Sequence, residues 1–253
     1  MVMGLTRNMS TNGVISDAAW GCDHSDIPAL AVGNIRACRV SVSDVGKLAL
    51  ELTKTVVDTS WMAALDKGAR RAYEKTVAET SELLVKIFKA VSASSSPASA
   101  IQEDFGELMV SMGAARALNQ VFSHHEVPLA ELWKPQAKQN EGFDFHTVCP
   151  SDRVHFGEAK YSSHNSPHGI AINQISDFLK ADKHYRDRPH LEKLVSASAI
   201  QNLDNEEFGV VAAFSVNAVN PQRVIENAIT NAKALAHTHK IAQIYLIGVT
   251  YDA

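Results

Sequence analysis

The chain has 253 residues, 45% of them hydrophobic and 21% charged, which is the usual composition of a globular protein with a sizeable core. It contains no run of about 18 apolar residues, so a membrane partner is not expected. The formal net charge of −4 argues against a protein that grips nucleic acid through a basic surface of its own, because phosphate neutralisation supplies most of such affinity.

The first residues lack the signals of export. Arg7 is not followed by the apolar segment of a signal peptide, so secretion is not expected. Cys22, Cys38 and Cys149 form an odd and sparse set of cysteines, which suits a reducing compartment better than a disulfide framework. A cytoplasmic location is therefore expected.

The N-terminal part of the chain has weak signals followed by two helical patterns. Residues 1–35 indicate an irregular or strand-bearing segment. Apolar positions that recur at intervals of three and four predict a helix over 43–65, with Ser43 as its cap, and a second helix over 67–91.

A serine-rich tract interrupts the helical pattern and divides the chain. Residues 92–99 have the composition of a linker. We therefore expect residues 1–95 to form a mainly helical docking or regulatory region, and residues 96–253 to form a separate domain.

The second part of the chain alternates helices and strands. The predicted elements are a helix over 101–122, strands over 142–149 and 153–161, a helix over 170–184, a basic turn over 186–189, a helix over 191–200, a strand over 208–216, a helix over 220–237 and a strand over 241–251. This order predicts an α/β fold with a mixed central sheet flanked by helices.

Charged side chains lie within the two adjoining strands, which are otherwise apolar. The first strand holds Asp144, and the second holds Glu158 and Lys160. A charged group buried in such a strand costs several kcal/mol unless it is paired or holds a metal. These residues are therefore the first candidates for a functional site, and we interpret them as the site of a divalent metal and a phosphodiester.

The register of the two strands decides whether the three side chains meet. Glu158 and Lys160 are two residues apart and project from the same face. With an odd number of residues in the connecting turn, Asp144 joins that face, roughly opposite Phe156 and diagonal to Glu158. With an even number, Asp144 turns away. The sequence leaves both registers open.

The spacing of these residues resembles the motif of the PD-(D/E)XK nucleases, which have the restriction-endonuclease-like fold. Asp144 is followed by thirteen residues and then by Glu-Ala-Lys at 158–160. Phe143 stands where the family usually has proline. The resemblance covers about residues 101–253 and implies a restriction-endonuclease-like core that hydrolyses phosphodiester bonds with the help of a metal.

The resemblance also implies roles for the motif residues. Asp144, Glu158 and the main-chain carbonyl of Ala159 would bind Mg²⁺ or Mn²⁺ through oxygen ligands. Lys160 would hold or help deprotonate the attacking water and stabilise the charge that develops on the phosphate.

Two helical residues complete the implied catalytic set. Glu107, on the helix that precedes the motif, would reach the metal directly or through water, although Glu103 lies one turn earlier and both carboxylates could simply be exposed. Gln174, on the helix that follows the motif, would lie beside the site, unless it is an ordinary surface residue.

Residues 142–146 and 156–161, Gly-Phe-Asp-Phe-His and Phe-Gly-Glu-Ala-Lys-Tyr, are also similar to nuclease subunits of bacterial antiphage systems of the Hachiman type. These subunits act with a helicase. The likeness implies DNA as substrate, a role in antiphage defence and a helicase as protein partner. Such a partner would supply the grip on DNA that the net charge does not provide.

Other interpretations of the same residues stay open. The charged strand residues could form a buried ion pair in an inert nuclease-like scaffold that binds a protein partner or nucleic acid, and RNA is an alternative substrate. His146 is either a group behind the site or a core histidine. A set of basic residues is either a track for a phosphate backbone or a solvated rim: Lys134, Lys138, Arg153, Lys180, Lys183, Arg186 and Arg188.

Overall fold

The computed structural model describes residues 13–134 and 142–251. Eight strands form one mixed sheet flanked by helices, which confirms the expected α/β fold. The strands are β1 (Val14–Asp17), β2 (Cys22–Asp26), β3 (Ile35–Val42), β4 (His125–Glu126), β5 (Phe145–Val148), β6 (Val154–Lys160), β7 (Gly209–Ser215) and β8 (Gln243–Tyr251).

The helices fall before, between and after these strands. They are α1 (Val45–Val57), α2 (Lys67–Ser92), α3 (Glu103–Phe122), α4 (Ala130–Trp133), α5 (His168–Lys180), α6 (Lys183–Leu191), α7 (Ala197–Asp204) and α8 (Pro221–Thr238). Within the described ranges, no helix is both long enough and apolar enough to cross a membrane.

The centre of the sheet is parallel and its two edges are antiparallel. The strand order is β1-β2-β3-β8-β7-β6-β5-β4. β3, β8, β7 and β6 run parallel to one another, whereas β2 joins β3 and β5 joins β6 in antiparallel pairs, and β1 and β4 extend the two edges in the same antiparallel way. Every residue of β7 is buried, as is usual for a parallel strand covered on both faces.

The sheet runs across the boundary expected at residue 95. β3 pairs with β8 along its whole length, from Ile35 opposite Ile244 to Val42 opposite Tyr251. β1 and β2 confirm the strand-bearing interpretation for residues 13–35, and these strands share a sheet with the C-terminal part. The functional division of the chain at residue 95 stays a prediction.

The first predicted helix is shorter than the apolar spacing suggested. Its N-cap is Asp44 and not the predicted Ser43. The carboxylate of Asp44 accepts a hydrogen bond from the N–H of Lys47. The helix ends at Val57, and residues 60–64 form a separate 3-10 turn. The prediction of one continuous helix over 43–65 is therefore wrong at both ends.

The basic segment around Arg186 is helical, so the predicted turn over 186–189 is wrong. α6 buries three residues at helical spacing, His184, Asp187 and Leu191. Burial of this face outweighs the unfavourable Pro189 inside the helix. The predicted helix over 191–200 is correspondingly displaced, because the chain turns after α6 and becomes helical again at Ala197.

Helices cover both faces of the sheet. Phe122 at the end of α3 packs against Tyr245, whereas His168 of α5 packs against Phe214. Tyr245 pairs with Val211, which lies three residues before Phe214 on β7. Because side chains alternate along a strand, α3 and α5 lie on opposite faces.

A glycine lets α3 approach the end of β6 closely. A Cβ atom at Gly106 would lie 2.3 Å from the ring of Tyr161, which directly follows β6. The next residue of the helix, Glu107, is thereby brought beside Lys160, with 3.9 Å between Oε1 and Nζ. Gly106 thus fixes the position of one predicted site residue.

We expect Gly106→Ala to destabilise the protein, although alanine favours helix by about 1 kcal/mol over glycine. The added methyl group would collide with Tyr161, and overpacking of this kind costs about 1–3 kcal/mol. Gly113→Ala is the matched control, because a Cβ atom there meets nothing within 4 Å. It should stabilise the protein by about 0.5–1 kcal/mol. Urea unfolding measures both changes, and equal effects would contradict the close approach.

Candidate functional site

The candidate acids meet where β5 begins beside β6. β5 pairs with β6 from Phe145 opposite Gly157 to Val148 opposite Val154, so the connection over 149–153 has the odd length that was one of the two alternatives. Asp144 directly precedes β5, and its N–H donates to the carbonyl of Gly157. This bond is one residue out of step with the register of β5 and β6, so Asp144 lies just outside the paired residues, beside the end of β6 that carries Glu158 and Ala159.

This register corrects one detail of the prediction. The residue opposite Phe156 is His146, and not Asp144. Asp144 itself precedes the paired residues, and it meets β6 through its N–H at Gly157 and through its side chain at Ala159.

Asp144 continues the pairing of the strands with its side chain. Its Oδ2 accepts the N–H of Ala159 at 2.8 Å, because no β5 residue is left to do so. The N–H and C=O of one strand residue point to the same side of the strand. The carbonyl of Ala159 therefore also faces the gap beside Asp144, as its predicted role as a ligand requires.

Glu158 and Lys160 are in direct contact, as their shared face predicted. The ammonium group of Lys160 lies 2.8 Å from Oε1 of Glu158, which is fully buried. The contact is an ion pair without the geometry of a hydrogen bond, and among the described residues Oε2 has no partner. One oxygen of a buried carboxylate is thus left without a donor.

The site holds more acidic groups than its one lysine can balance. Burial, reinforced by the charge of Asp144, raises the pKa of Glu158 to about 8. Burial also raises the pKa of Asp144. Burial alone would lower the pKa of Lys160, but Glu158 and the other nearby carboxylates raise it above its ordinary value. A bound cation would favour the ionised form of both carboxylates.

Of the two predicted helical residues, Glu107 lies at the site. Its side chain is half-exposed and contacts Lys160, and burial raises its pKa while Lys160 opposes the shift. Gln174 is half-buried on α5. Its neighbour Asn173 lines the cleft beside Lys160. The role of Gln174 therefore stays a prediction.

An open cleft, here called the Lys160 cleft, lies between the beginnings of α3 and α5. Its volume is about 560 Å³. It is lined by Glu103, Glu107, Lys160, Tyr161, Ser162, Asn165, Ser166, Pro167, His168, Gly169, Ile170 and Asn173. It lies at the carboxyl end of β6, where α/β proteins with parallel strands usually bind their ligands.

Sequence reasoning missed a fourth acid, Glu131 of α4. It shares a cavity with Asp144 and Glu107. Burial, with the charge of Asp144, raises its pKa to about 8. A helix of four residues is too short for a hydrophobic period, so the only local signal was a glutamate among the buried residues Ala130, Leu132 and Trp133.

His146 is a core histidine, as one of its two interpretations held. It is fully buried, and its Nε2 lies 3.0 Å from Oδ2 of Asp187. Lys134 contacts the same carboxylate and also donates to the carbonyl of Phe143. This buried network connects α6 to the segment that leads into β5.

Contacts of the basic set favour a structural role over a phosphate track. Arg188 makes two short hydrogen bonds to Asp204, and Lys134 is buried against Asp187. Arg153 and Lys180 also pair with carboxylates, and Lys183 lies over the ring of Phe178. Lys138 lies outside the described residues. Paired cations neutralise phosphates less effectively than free ones.

The acids offer suitable ligands for a divalent cation, although they are not arranged as a preformed site. Over residues 13–134 and 142–251, no group of three or more His, Cys, Asp or Glu side chains is positioned to hold a metal ion. Asp144, Glu158 and the carbonyl of Ala159 nevertheless supply the oxygen donors that Mg²⁺ prefers, and one Glu158 oxygen lacks a partner. Full ligation by Glu158 requires Lys160 to release Oε1.

The fold and site together describe a mixed α/β chain with buried acids and a lysine at a strand end. No family model, curated protein or solved structure matches the chain. Its function therefore has to be inferred from the geometry of the site.

The pH dependence of stability should reveal the burial of Glu158. Its pKa rises on folding from its ordinary 4.5 to about 8, so the folded state keeps the proton that the unfolded state releases. The contribution of Glu158 to the free energy of unfolding therefore falls as the pH rises between these values. In Glu158→Gln this loss is removed, and the variant gains stability relative to the wild type across the same window.

Urea unfolding in the presence of a chelator, from about pH 5 to about pH 9, measures the difference between variant and wild type. The histidines with lowered pKa values affect both proteins equally and cancel. Glu79→Gln, a substitution of an exposed glutamate on α2, should show no such trend. A difference for Glu158→Gln that does not change with pH would contradict the raised pKa.

Proposed function

We propose that the chain is a metal-dependent nuclease that hydrolyses phosphodiester bonds of DNA. The observation that carries the proposal is Glu158, a fully buried carboxylate with one unpartnered oxygen, which lies close to Asp144 and 2.8 Å from Lys160. An unsatisfied buried polar group costs about 1–3 kcal/mol, and more when it is charged. Such a group is best explained by a ligand that uses it.

Each residue of the site has a role in this proposal. Asp144, Glu158 and the carbonyl of Ala159 would hold Mg²⁺ or Mn²⁺, which when bound supplies a Lewis acid beside the phosphate and lowers the pKa of water. Lys160 would leave Oε1 of Glu158, orient the attacking water and stabilise the negative charge that develops on the phosphate. Glu107, at the mouth of the cleft, would hold water molecules beside the acids.

The Lys160 cleft is suited to the substrate. It is open, and its lining combines the ammonium group with the polar side chains of Asn165, His168 and Asn173. α5 begins at this cleft without a side-chain cap, so the positive end of its helix dipole faces a phosphate bound there. A sugar-phosphate chain could therefore lie across the beginnings of α3 and α5.

The proposal includes a protein partner, for which a helicase in bacterial antiphage defence is the candidate. The net charge of −4 and the paired basic residues support it, because neither provides a strong grip on DNA. In this arrangement the partner binds the nucleic acid and the chain described here cuts it.

A second candidate is a nuclease-like scaffold that binds a partner or nucleic acid without cutting. The observation in its favour is the ion pair itself, in which Lys160 already occupies one side of Glu158. If the ammonium group stays there, the acids cannot converge fully on a cation.

Cleavage of plasmid DNA with Mg²⁺ or Mn²⁺ distinguishes the two candidates. We expect Glu158→Gln and Lys160→Ala each to lose activity by at least about 100-fold, because one removes a cation ligand and the other removes the group that stabilises the phosphate charge. Glu79→Gln, on the exposed face of α2, should keep full activity. A parallel assay with RNA tests the alternative substrate.

Cutting that survives in Glu158→Gln or Lys160→Ala would contradict the assigned roles. If no form of the protein cuts DNA or RNA, with or without a helicase partner, the scaffold is the better account.

Binding of the cation can be tested without any activity. In thermal unfolding, Mg²⁺ at about ten times its dissociation constant should stabilise the wild type by about 1.4 kcal/mol, because the ion binds only the folded chain. Asp144→Asn should lose this stabilisation, whereas Glu79→Gln should retain it. Equal stabilisation of all three proteins would exclude Asp144 as a ligand.

A further inference from the structure

A second cavity, here called the α2 cavity, lies between α2 and the acids of the site. Its volume is about 320 Å³, and Glu107 lines both this cavity and the Lys160 cleft. One wall is acidic and is made by Asp104, Glu107, Glu131 and Asp144. The rest is apolar or carries hydroxyl groups and is made by Thr80, Leu83, Leu84, Ile87, Leu108 and Ser111.

The acidic wall is balanced by one lysine, Lys160, which contacts Glu107 from the side of the Lys160 cleft. Of the described residues, no lysine, arginine or histidine lines the α2 cavity. Oε2 of Glu131 is enclosed and has no hydrogen-bond partner among the described residues. Lys134, the nearest lysine along the chain, is already held by Asp187 and the carbonyl of Phe143. An enclosed carboxylate oxygen thus points to a missing positive group.

The apolar wall formed by α2 favours an organic cation over a metal ion. Leu83 and Leu84 are adjacent on α2 and Ile87 lies one turn later, and their hydrocarbon surface offers no ligand to a metal ion. An alkyl chain gains from this surface, because each buried methylene contributes about 0.8 kcal/mol. A ligand that matches both walls has a positively charged end and an apolar stem.

We propose that the α2 cavity binds an alkylammonium group, with the ammonium between Glu131 and Asp144 and the stem along Leu83, Leu84 and Ile87. The group can belong to a free aliphatic amine, such as a polyamine, or to a lysine side chain of another protein. The proposal does not require the chain to be a nuclease. If the chain is one, an amine in this cavity competes with the metal for Asp144 and restrains the enzyme.

Calorimetric titration of the full chain with amines, in the presence of a chelator, tests this proposal. In the series ammonium, propylammonium, hexylammonium, affinity should increase about twofold to fourfold for each added methylene. Glu131→Gln should weaken hexylammonium binding by about tenfold, the usual loss for a hydrogen bond to a charged group. Glu103→Gln, which removes a carboxylate from the Lys160 cleft alone, should leave binding unchanged.

A second variant separates the two walls. Leu83→Gln keeps every carboxylate and changes a half-exposed residue, so the fold should survive. It should reduce the dependence on stem length, whereas ammonium itself should bind as it does to the wild type. Should Leu83→Gln unfold, Asp104→Asn provides a second change in the acidic wall, with the expectation of weaker hexylammonium binding.

Two further probes distinguish a free amine from a lysine side chain as the source of the alkylammonium group. Tighter binding of spermidine than of N-acetyl-lysine methylamide indicates a free amine, and the reverse indicates a lysine side chain. The proposal is overturned if ammonium and hexylammonium bind equally, if neither binds, or if Glu103→Gln loses as much affinity as Glu131→Gln. None of these outcomes depends on cleavage of nucleic acid.

Discussion

The buried carboxylate of Glu158 is the constraint on which the site depends. It lies close to Asp144, and Lys160 is its one charged partner among the described residues, so two carboxyl groups share a single, partly exposed ammonium group. Such an arrangement is costly on its own account. The strand ends, the helix that carries Glu107 and the adjoining cavities all border this point, where acidic side chains outnumber positive charges.

The scaffold holds these groups with close contacts between backbone and aromatic rings. Gly106 allows α3 to touch Tyr161, and Gly157 allows the ring of Phe145 to cross β6, where a Cβ atom would lie 2.4 Å away. Phe145 directly follows Asp144, so the same packing that seats the ring also positions the carboxylate. The network of Lys134, His146 and Asp187 supports this segment from the side of α6.

The N-terminal region takes part in the site through α2. Leu83, Leu84 and Ile87 of this helix form a wall of the cavity that contains Asp144 and Glu131. A ligand or partner that moved α2 would therefore change the surroundings of the acids directly. Through α2, the expected docking or regulatory region of residues 1–95 is in contact with the cavity that holds these acids. β3 of the same region also belongs to the central sheet.

Local periodicity in the sequence determined most of the elements and the contact of Glu158 with Lys160, because side chains alternate along a strand whatever surrounds it. The position of Asp144 depended on the length of one turn, and the sequence left both an odd and an even length open. Only the tertiary structure decided that Glu107 and Glu131 join these acids and that α6 is helical. Their positions depend on packing between segments distant in sequence, such as α3 against Tyr161 and Asp187 against Lys134, which no local pattern encodes.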